Sequence, residues 1–382
     1  MTTPPPPRST LTRVLVFIDS GTASGPVKQL AATIRPLRQA GVELHCISFQ
    51  RRGQPAITSP AYLAEHGASV DIIQESGVLD VRLIASVADM IRRHKPDIIQ
   101  THGYRPSVLL ALLSTVGLAR APWIGFFHGR TTESWRVVLY DKLDHLALRR
   151  SDVTVVMSNL QKREKAGYRR ASVRVVYNAV INSAPASPSA AEPPSLGGPW
   201  PRPVIGVIGR LSPEKGVDVM LQAWARLVER GHDGTLVLAG DGQERERLEQ
   251  LAETLHVTER CRFLGHLDAP DQLYPLLDLM VIPSRTEGLP NVFLEALRHG
   301  VRVVSTRVGA IPDLVGDSTL ATLVDIEDPT ALATAIADSL AYPEAVGTTA
   351  AASALLHSLS LPARVDALAQ IYREVLARTP VS

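Results

Sequence analysis

Two α/β domains, each built on a parallel sheet, are what this 382-residue sequence predicts. Three observations carry the prediction. Short apolar segments of strand length alternate with helix-patterned segments from Leu11 to Met157 and again from Val204 to Ser305, which is the signature of strand–helix–strand units with right-handed crossovers. Between the two runs, 182–203 is rich in Pro, Ser, Ala and Gly, a linker composition. The length is more than one hydrophobic core usually needs and comfortable for two.

In the first half, the apolar run Leu11–Ile18 reads as a strand, Gly21–Gly25 as a glycine turn, and Pro26–Ala40 as a helix. Strands Val42–Phe49 and Val70–Ile73 follow, then the helix Val81–His94 and, after Pro96, the strand Asp97–Thr101. The helix Ser107–Val116, strand Trp123–Phe127, helix Ser134–Arg149 and strand Val153–Met157 complete the half. The second half restarts with strand Val204–Ile208, helix Gly216–Arg230, strand Thr235–Ala239, helix Glu244–Leu255 and strand Cys261–Leu264. A helix Asp271–Leu277 precedes strand Leu279–Ile282, and a helix Asn291–Arg298, with Pro290 suited to its first turn, precedes strand Val301–Ser305. A long amphipathic helix, Ala363–Arg378, closes the chain. The domain boundaries are therefore set at a lead-in 1–10, an N-terminal domain 11–181, a linker 182–203, a C-terminal domain 204–362 and a terminal helix 363–382.

Composition excludes several classes. The chain is 45% hydrophobic and 20% charged, as ordinary globular proteins are, and only 5% aromatic, so base stacking is not a theme and no nucleic-acid partner is expected. Cys46 and Cys261 fit no metal spacing, which suits a reducing compartment. The Pro4–Pro7 lead-in lacks the apolar core of a secretory signal. The longest apolar run, Val108–Ala119, falls short of the ~20 residues that span a bilayer. A cytoplasmic protein, or one at the cytoplasmic membrane face, is expected. The net charge of +2 hides an asymmetry: residues 1–180 hold 24 Lys and Arg against 13 Asp and Glu, and residues 181–382 hold 16 against 25. A basic half with Lys162, Arg163, Lys165, Arg169, Arg170 and Arg174 clustered in it suggests attraction to anionic lipid headgroups or a phosphate-bearing acceptor.

Ligands of open parallel sheets gather at the carboxyl ends of strands. Gly21–Gly25, His102, His128, Gly209–Gly216, Gly240–Gln243 and Pro283–Pro290 all lie just past predicted strands, so one cleft between two domains would collect them. Gly209-Arg210 and Lys215-Gly216 put two cations beside glycines that let a ligand approach the backbone. Glu287-Gly288-Leu289-Pro290-Asn291-Val292 runs into a helix that carries Glu295, and free N–H groups at a helix start attract anions. Cations suit a diphosphate and carboxylates suit sugar hydroxyls, so the pair of segments points to a nucleotide-sugar.

This Gly-Arg-x4-Lys-Gly and Glu-x7-Glu pairing resembles the retaining GT-B glycosyltransferases of family 4, over roughly residues 202–320 and more loosely over 12–180. The resemblance implies two facing Rossmann-like domains with the active site between them, and a terminal helix that crosses back to the N-terminal domain. It implies that Arg210 and Lys215 contact the donor diphosphate, that Glu287 lies near the donor sugar hydroxyls, and that Glu295 binds the ribose. Gly209, Gly240, Leu264 and Gly288–Val292 complete the donor site by the same analogy, Leu264 lying where the family's main chain meets the base. In the other half it implies a glycine-rich loop, Gly21 to Gly25, touching phosphate or acceptor, and a histidine near the transferred sugar, His128. His102, at a neighbouring strand end, is a second candidate for substrate contact.

No Asp-x-Asp occurs in the sequence, so Arg210, Lys215 and the helix start are expected to supply the charge that a metal supplies elsewhere. Expected partners are a UDP-sugar or GDP-mannose donor and a glycan, lipid-linked or small-molecule acceptor, with no cofactor and no metal. An epimerase on the same architecture and a catalytically silent sugar- or lipid-binding subunit are the alternatives. A nicotinamide dehydrogenase is disfavoured, because Gly206–Arg210 lacks Gly-x-Gly-x-x-Gly.

Overall fold

The computed structural model describes residues 11–53, 56–75, 81–129, 135–168, 172–181, 200–267, 269–341 and 350–378, except for the side chains of 81, 135–139 and 141. The lead-in, the linker over 182–199, Arg169 and Arg170 lie outside them.

The first sheet gathers β1 (Thr12–Ile18), β2 (Val42–Arg51), β3 (Ser69–Glu75), β4 (Ile98–His102), β5 (Trp123–Phe127), β6 (Val153–Val156) and β7 (Ser172–Val175). Helices α1 (Gly25–Gln39), α2 (Ser59–Glu65), α3 (Val81–His94), α4 (Tyr104–Thr115), α5 (Trp135–Leu148) and α6 (Asn159–Glu164) connect them. The order is β3-β2-β1-β4-β5-β6-β7 and all neighbours are parallel. The second sheet gathers β8 (Val204–Ile208), β9 (Thr235–Ala239), β10 (Cys261–Gly265), β11 (Leu279–Ile282), β12 (Val303–Thr306) and β13 (Thr322–Val324), in the parallel order β10-β9-β8-β11-β12-β13. Its helices are α7 (Val217–Glu229), α8 (Arg245–Thr254), α9 (Asn291–Arg298), α10 (Ile311–Val315) and α11 (Pro329–Ala341). Strands this apolar form central sheets because both of their faces are covered by helices.

Strand order reverses beside β1 in one sheet and beside β8 in the other. The crevices outside their carboxyl ends are where open sheets bind ligands. One hydrophobic cluster lies on the outer face of each sheet, and a third joins both halves across the seam, from Val14 and Ile98 to Phe293 and Leu294. Two further helices, α12 (Ala350–Ser358) and α13 (Leu361–Arg378), follow α11 in the chain. α13 lies against α1, with Val365, Leu368, Ile371, Tyr372 and Val375 buried. The N–H of Val180 donates to Leu359 O at 2.8 Å, and Arg364 donates to the carbonyls of Val176 and Tyr177.

Three expectations change. Asp271–Leu277 is not a helix but two 3-10 turns, Pro270–Gln272 and Tyr274–Leu276. Pro275 removes a donor and clashes with the preceding turn, which splits the segment. Helices α2, α6, α10, α11 and α12, and strands β7 and β13, were not legible. One member of the basic cluster is not available to an anionic partner: Lys165 is fully buried, its ammonium 3.8 Å over the Phe127 ring and 2.9 Å from His145 Nδ1. Part of the charge asymmetry is spent across the two halves, in ion pairs of Arg174 with Glu374 at 2.8 Å and Arg163 with Asp313 at 3.9 Å.

Candidate functional site

The C-terminal half supplies one wall of the cleft. β8 ends at Ile208, and Gly209 donates its N–H to Ala239 O at 2.9 Å, which carries the chain sideways over the strand ends. Pro213–Lys215 forms a 3-10 turn that ends on Gly216 in the left-handed region. The turn is cross-braced to the loop after β11. Arg285 donates to both oxygens of Asp218 at 2.9 Å each and to Pro213 O at 2.6 Å, and its own N–H donates to Glu214 O at 2.8 Å.

That bracing brings Lys215 Nζ to 2.6 Å from Glu287 Oε1, across 72 residues of sequence. Ser284 Oγ donates to the same oxygen at 2.9 Å. Arg210, half exposed, lies 3.0 Å from the buried carboxylate of Glu214, which also accepts from Ser212 Oγ at 2.7 Å. Lys215, Glu287, Arg210, Gly209 and Val292 line one hollow. Glu295 is elsewhere, facing a second hollow with Asn291, Arg298 and, from the N-terminal half, Gln29 and Ala179. Its Oε2 accepts from the buried Tyr274 hydroxyl at 2.6 Å. Burial first, and then the Glu295 charge, keep that phenol protonated well above its usual range. Gly240 donates its N–H to Gly265 O at 2.8 Å, and Leu264 is half-buried beside it.

The N-terminal half meets this wall closely. Asn291 Oδ1, at the start of α9, accepts from Gln29 Nε2 at 3.2 Å and Asn178 Nδ2 at 3.1 Å, and Asn178 also donates to Leu289 O at 2.8 Å. A side chain at Gly25 would sit 3.2 Å from Asn291 Nδ2, so the glycine-rich loop abuts the C-terminal half, while Gly21 is exposed. A Cβ on Gly288 would stand 2.7 Å from His128 O and 3.1 Å from Met157 Cβ, so only a glycine lets the two halves close there.

His128 is half-buried one residue past β5, and His102 is buried at 4% exposure, beneath it rather than at the surface. The two belong to one buried chain of hydrogen bonds. The Tyr372 hydroxyl on α13 donates to Gln100 Oε1 at 2.7 Å. The Gln100 amide nitrogen then faces His102 Nε2 at 2.6 Å, and His102 Nδ1 faces His128 Nε2 at 2.8 Å. An amide nitrogen donates, so His102 Nε2 accepts and its proton sits on Nδ1. His128 Nε2 accepts in turn, which leaves His128 with a proton on Nδ1. Burial, followed by the Arg364 guanidinium, lowers His128 to about 3, and burial lowers His102 well below its usual range. His128 is thus a neutral hydrogen-bonding group at pH 7 rather than an acid. Stability follows. The unfolded chain takes up a proton near pH 6.5 that the folded His128 refuses, so stability is full above that pH and falls below it, by about 1 kcal/mol per pH unit. Urea midpoints at pH 7, 6 and 5 check this, with His128→Asn expected to flatten the decline.

Gln100, Tyr372 and Tyr274 escaped the sequence reading. None sits in a motif, and each acts through a partner brought near by the fold, Gln100 and Tyr372 across 272 residues.

Residues 202–341 match the family profile described as glycosyl transferases group 1, and residues 23–182 match that of glycosyltransferase family 4. The chain is 36% identical over 151 residues to a GDP-mannose-dependent alpha-(1-6)-phosphatidylinositol monomannoside mannosyltransferase of Mycolicibacterium smegmatis, 37% of this chain and 40% of that one. The alignment thus spans about two fifths of that relative. A longer alignment, 30% identical over 296 residues, covers 71% of this chain and 69% of the 2-deoxystreptamine N-acetyl-D-glucosaminyltransferase of Streptomyces fradiae. In fold, the chain is similar to Anabaena HepE in complex with UDP-glucose, with a TM-score of 0.77 at 20% identity over 95% of this chain and 99% of that one. It is also similar to the sucrose-phosphate synthase of Thermosynechococcus elongatus, with a TM-score of 0.76 at 19% identity over 96% and 100%.

Proposed function

The chain belongs to glycosyltransferase family 4, and on that premise we propose that it moves a hexosyl group from a nucleoside-diphosphate sugar to an acceptor hydroxyl, with retention at the anomeric carbon and without a metal ion in the transfer step. The observation that carries the reading is the meeting of Lys215 and Glu287 at 2.6 Å in a hollow that Arg210 also lines. A carboxylate for sugar hydroxyls and cations for a diphosphate then stand side by side. As the anomeric carbon leaves its phosphate, charge grows on the β-phosphate, and preorganised cations stabilise it most where water is scarce. The acceptor oxygen attacks the same face of the sugar, the carbon–phosphate oxygen bond breaks, and the acceptor proton passes to the departing phosphate. Glu287 orients sugar hydroxyls, and the neutral His128 donates from Nδ1 to another. Glu295, steadied by Tyr274, takes the ribose.

The donor is tested as UDP-sugars and GDP-mannose, since one relative is named GDP-mannose-dependent and one structural neighbour holds UDP-glucose. Each is incubated in EDTA with glycan, lipid-linked and cyclitol acceptors. A glycosylated product by mass spectrometry with the donor's anomeric configuration by NMR is the expected result. A donor-only change of sugar would instead identify an epimerase. No turnover, with no thermal shift by UDP or GDP, would favour a silent subunit.

The acceptor half also bears a surface suited to anionic membrane. On the packed helices α4 and α5 and the turn after α4, Leu112, Val116, Leu118 and Leu146 are exposed, beside exposed Arg120, Lys142, Arg149 and Arg150. Apolar side chains insert while cations attract anionic headgroups. No helix among the described residues is long and apolar enough to cross a bilayer. Sedimentation with phosphatidylglycerol vesicles should retain the protein and release it in Arg149→Glu/Arg150→Glu. Equal binding to neutral vesicles would contradict this.

A further inference from the structure

The acceptor half holds a second cluster, away from the cleft. In the parallel register of β2 and β3, His45 pairs with Ser69 and Ile47 with Asp71, so His45 and Asp71 point to the same face. Helix α3 covers that face through Leu83, Val87 and Ile91, and its last residue, His94, comes down beside them. His45 Nε2 lies 2.8 Å and His94 Nε2 3.1 Å from one oxygen of Asp71, Oδ2. The two imidazole rings are tilted at 39° to each other with centroids 3.9 Å apart. One nitrogen from each histidine and one carboxylate oxygen lie mutually within 4.8 Å, on side chains about a quarter to under half exposed.

We infer that His45, Asp71 and His94 bind a divalent transition-metal ion of the zinc type. Ligand atoms of a tetrahedral zinc stand about 3.3 Å apart, given bonds of ~2.0–2.1 Å, and the two nitrogen–oxygen separations already approach that edge. Imidazole with a single carboxylate suits zinc, nickel or copper rather than magnesium or calcium, which prefer all-oxygen shells. Three protein ligands leave a fourth position for water, and the partial exposure of all three side chains supplies the entry path. Binding displaces the protons that now join the rings to Asp71 and turns the two rings slightly apart. The site is at the amino-terminal ends of β2 and β3, and the cleft is at the carboxyl ends of the strands. The ion therefore ties the end of α3 to the sheet and takes no part in transfer. Ligands 26 and 23 residues apart form no spacing that a sequence would betray.

The test uses the whole chain, stripped with EDTA and titrated with Zn²⁺ by calorimetry and with Co²⁺ by visible absorption. One ion per chain, a tetrahedral-type Co²⁺ spectrum and a rise in Tm on loading are expected. His45→Gln and His94→Gln should each lower affinity at least tenfold, while His357→Gln, an exposed histidine on α12, should not. The Co²⁺ spectrum of the unmutated chain keeps the test valid if a variant folds poorly. Absence of stoichiometric binding by the unmutated chain, or undiminished binding in both variants, would overturn the assignment. UDP or GDP thermal shifts, measured in EDTA, report on the cleft separately.

Discussion

Lys215→Ala should lower kcat by about 10²–10³-fold, the usual consequence of removing one preorganised group that stabilises a leaving charge. The loss has two sources. The cation proposed to meet the diphosphate disappears, and Glu287, whose side chain is only 12% exposed, is left with the Ser284 hydroxyl as its side-chain partner among the described residues. An uncompensated carboxylate then faces an incoming anion. Arg210→Ala should cost less, because Glu214 retains the Ser212 hydroxyl and Arg210 is the more exposed cation. Lys215→Ala/Glu287→Gln should recover UDP or GDP affinity without recovering kcat. Steady-state kinetics with nucleotide titration separates the two, and full activity in Lys215→Ala would refute the site.

Gly216→Ala is expected to destabilise the chain by about 3 kcal/mol, summing a left-handed backbone penalty and a steric overlap. Gly216 has φ +63°, and a Cβ there would stand 2.1 Å from Pro283 O, a backbone atom with no rotamer to yield. The overlap would also push the Lys215 turn from the loop that carries Glu287, so activity should fall with stability. Gly231→Ala is the control: φ is +82°, but nothing lies within 4 Å of the added carbon. About 1 kcal/mol is expected there. Urea denaturation of the two variants compares them, and equal losses would mean that the contact with Pro283 carries no weight.

These variants also show which parts of the site a sequence discloses. Arg210, Lys215 and Glu287 were legible because chemistry and spacing coincide in one domain, on strand ends that apolar runs mark plainly. Their contact was not, since it depends on Arg285 clamping Asp218 and Pro213. The strands of both sheets were read closely wherever they are fully apolar, as in Trp123–Phe127 and Leu279–Ile282, both buried throughout. Ser172–Val175 was missed because it is short and mostly half-exposed, with Arg174 in its middle. The 3-10 turn that presents Tyr274 was mistaken for a helix because its apolar spacing outweighed Pro275. His45 and His94 offered no context at all, since only the register of β2 on β3 and the length of α3 bring them together.

The hydrogen-bond chain from Tyr372 to His128 means that the N-terminal module is not a contiguous stretch of sequence. An exchange that moves only residues 11–181 into a relative would carry Gln100, His102 and His128 and leave Arg364 and Tyr372 behind. The graft would then dock a foreign helix against α1 and lose the phenol that orients the histidine pair. The structural unit around the histidine pair is two segments, one from each end of the chain, and well-folded chimeras should be those that move α13 together with the first domain.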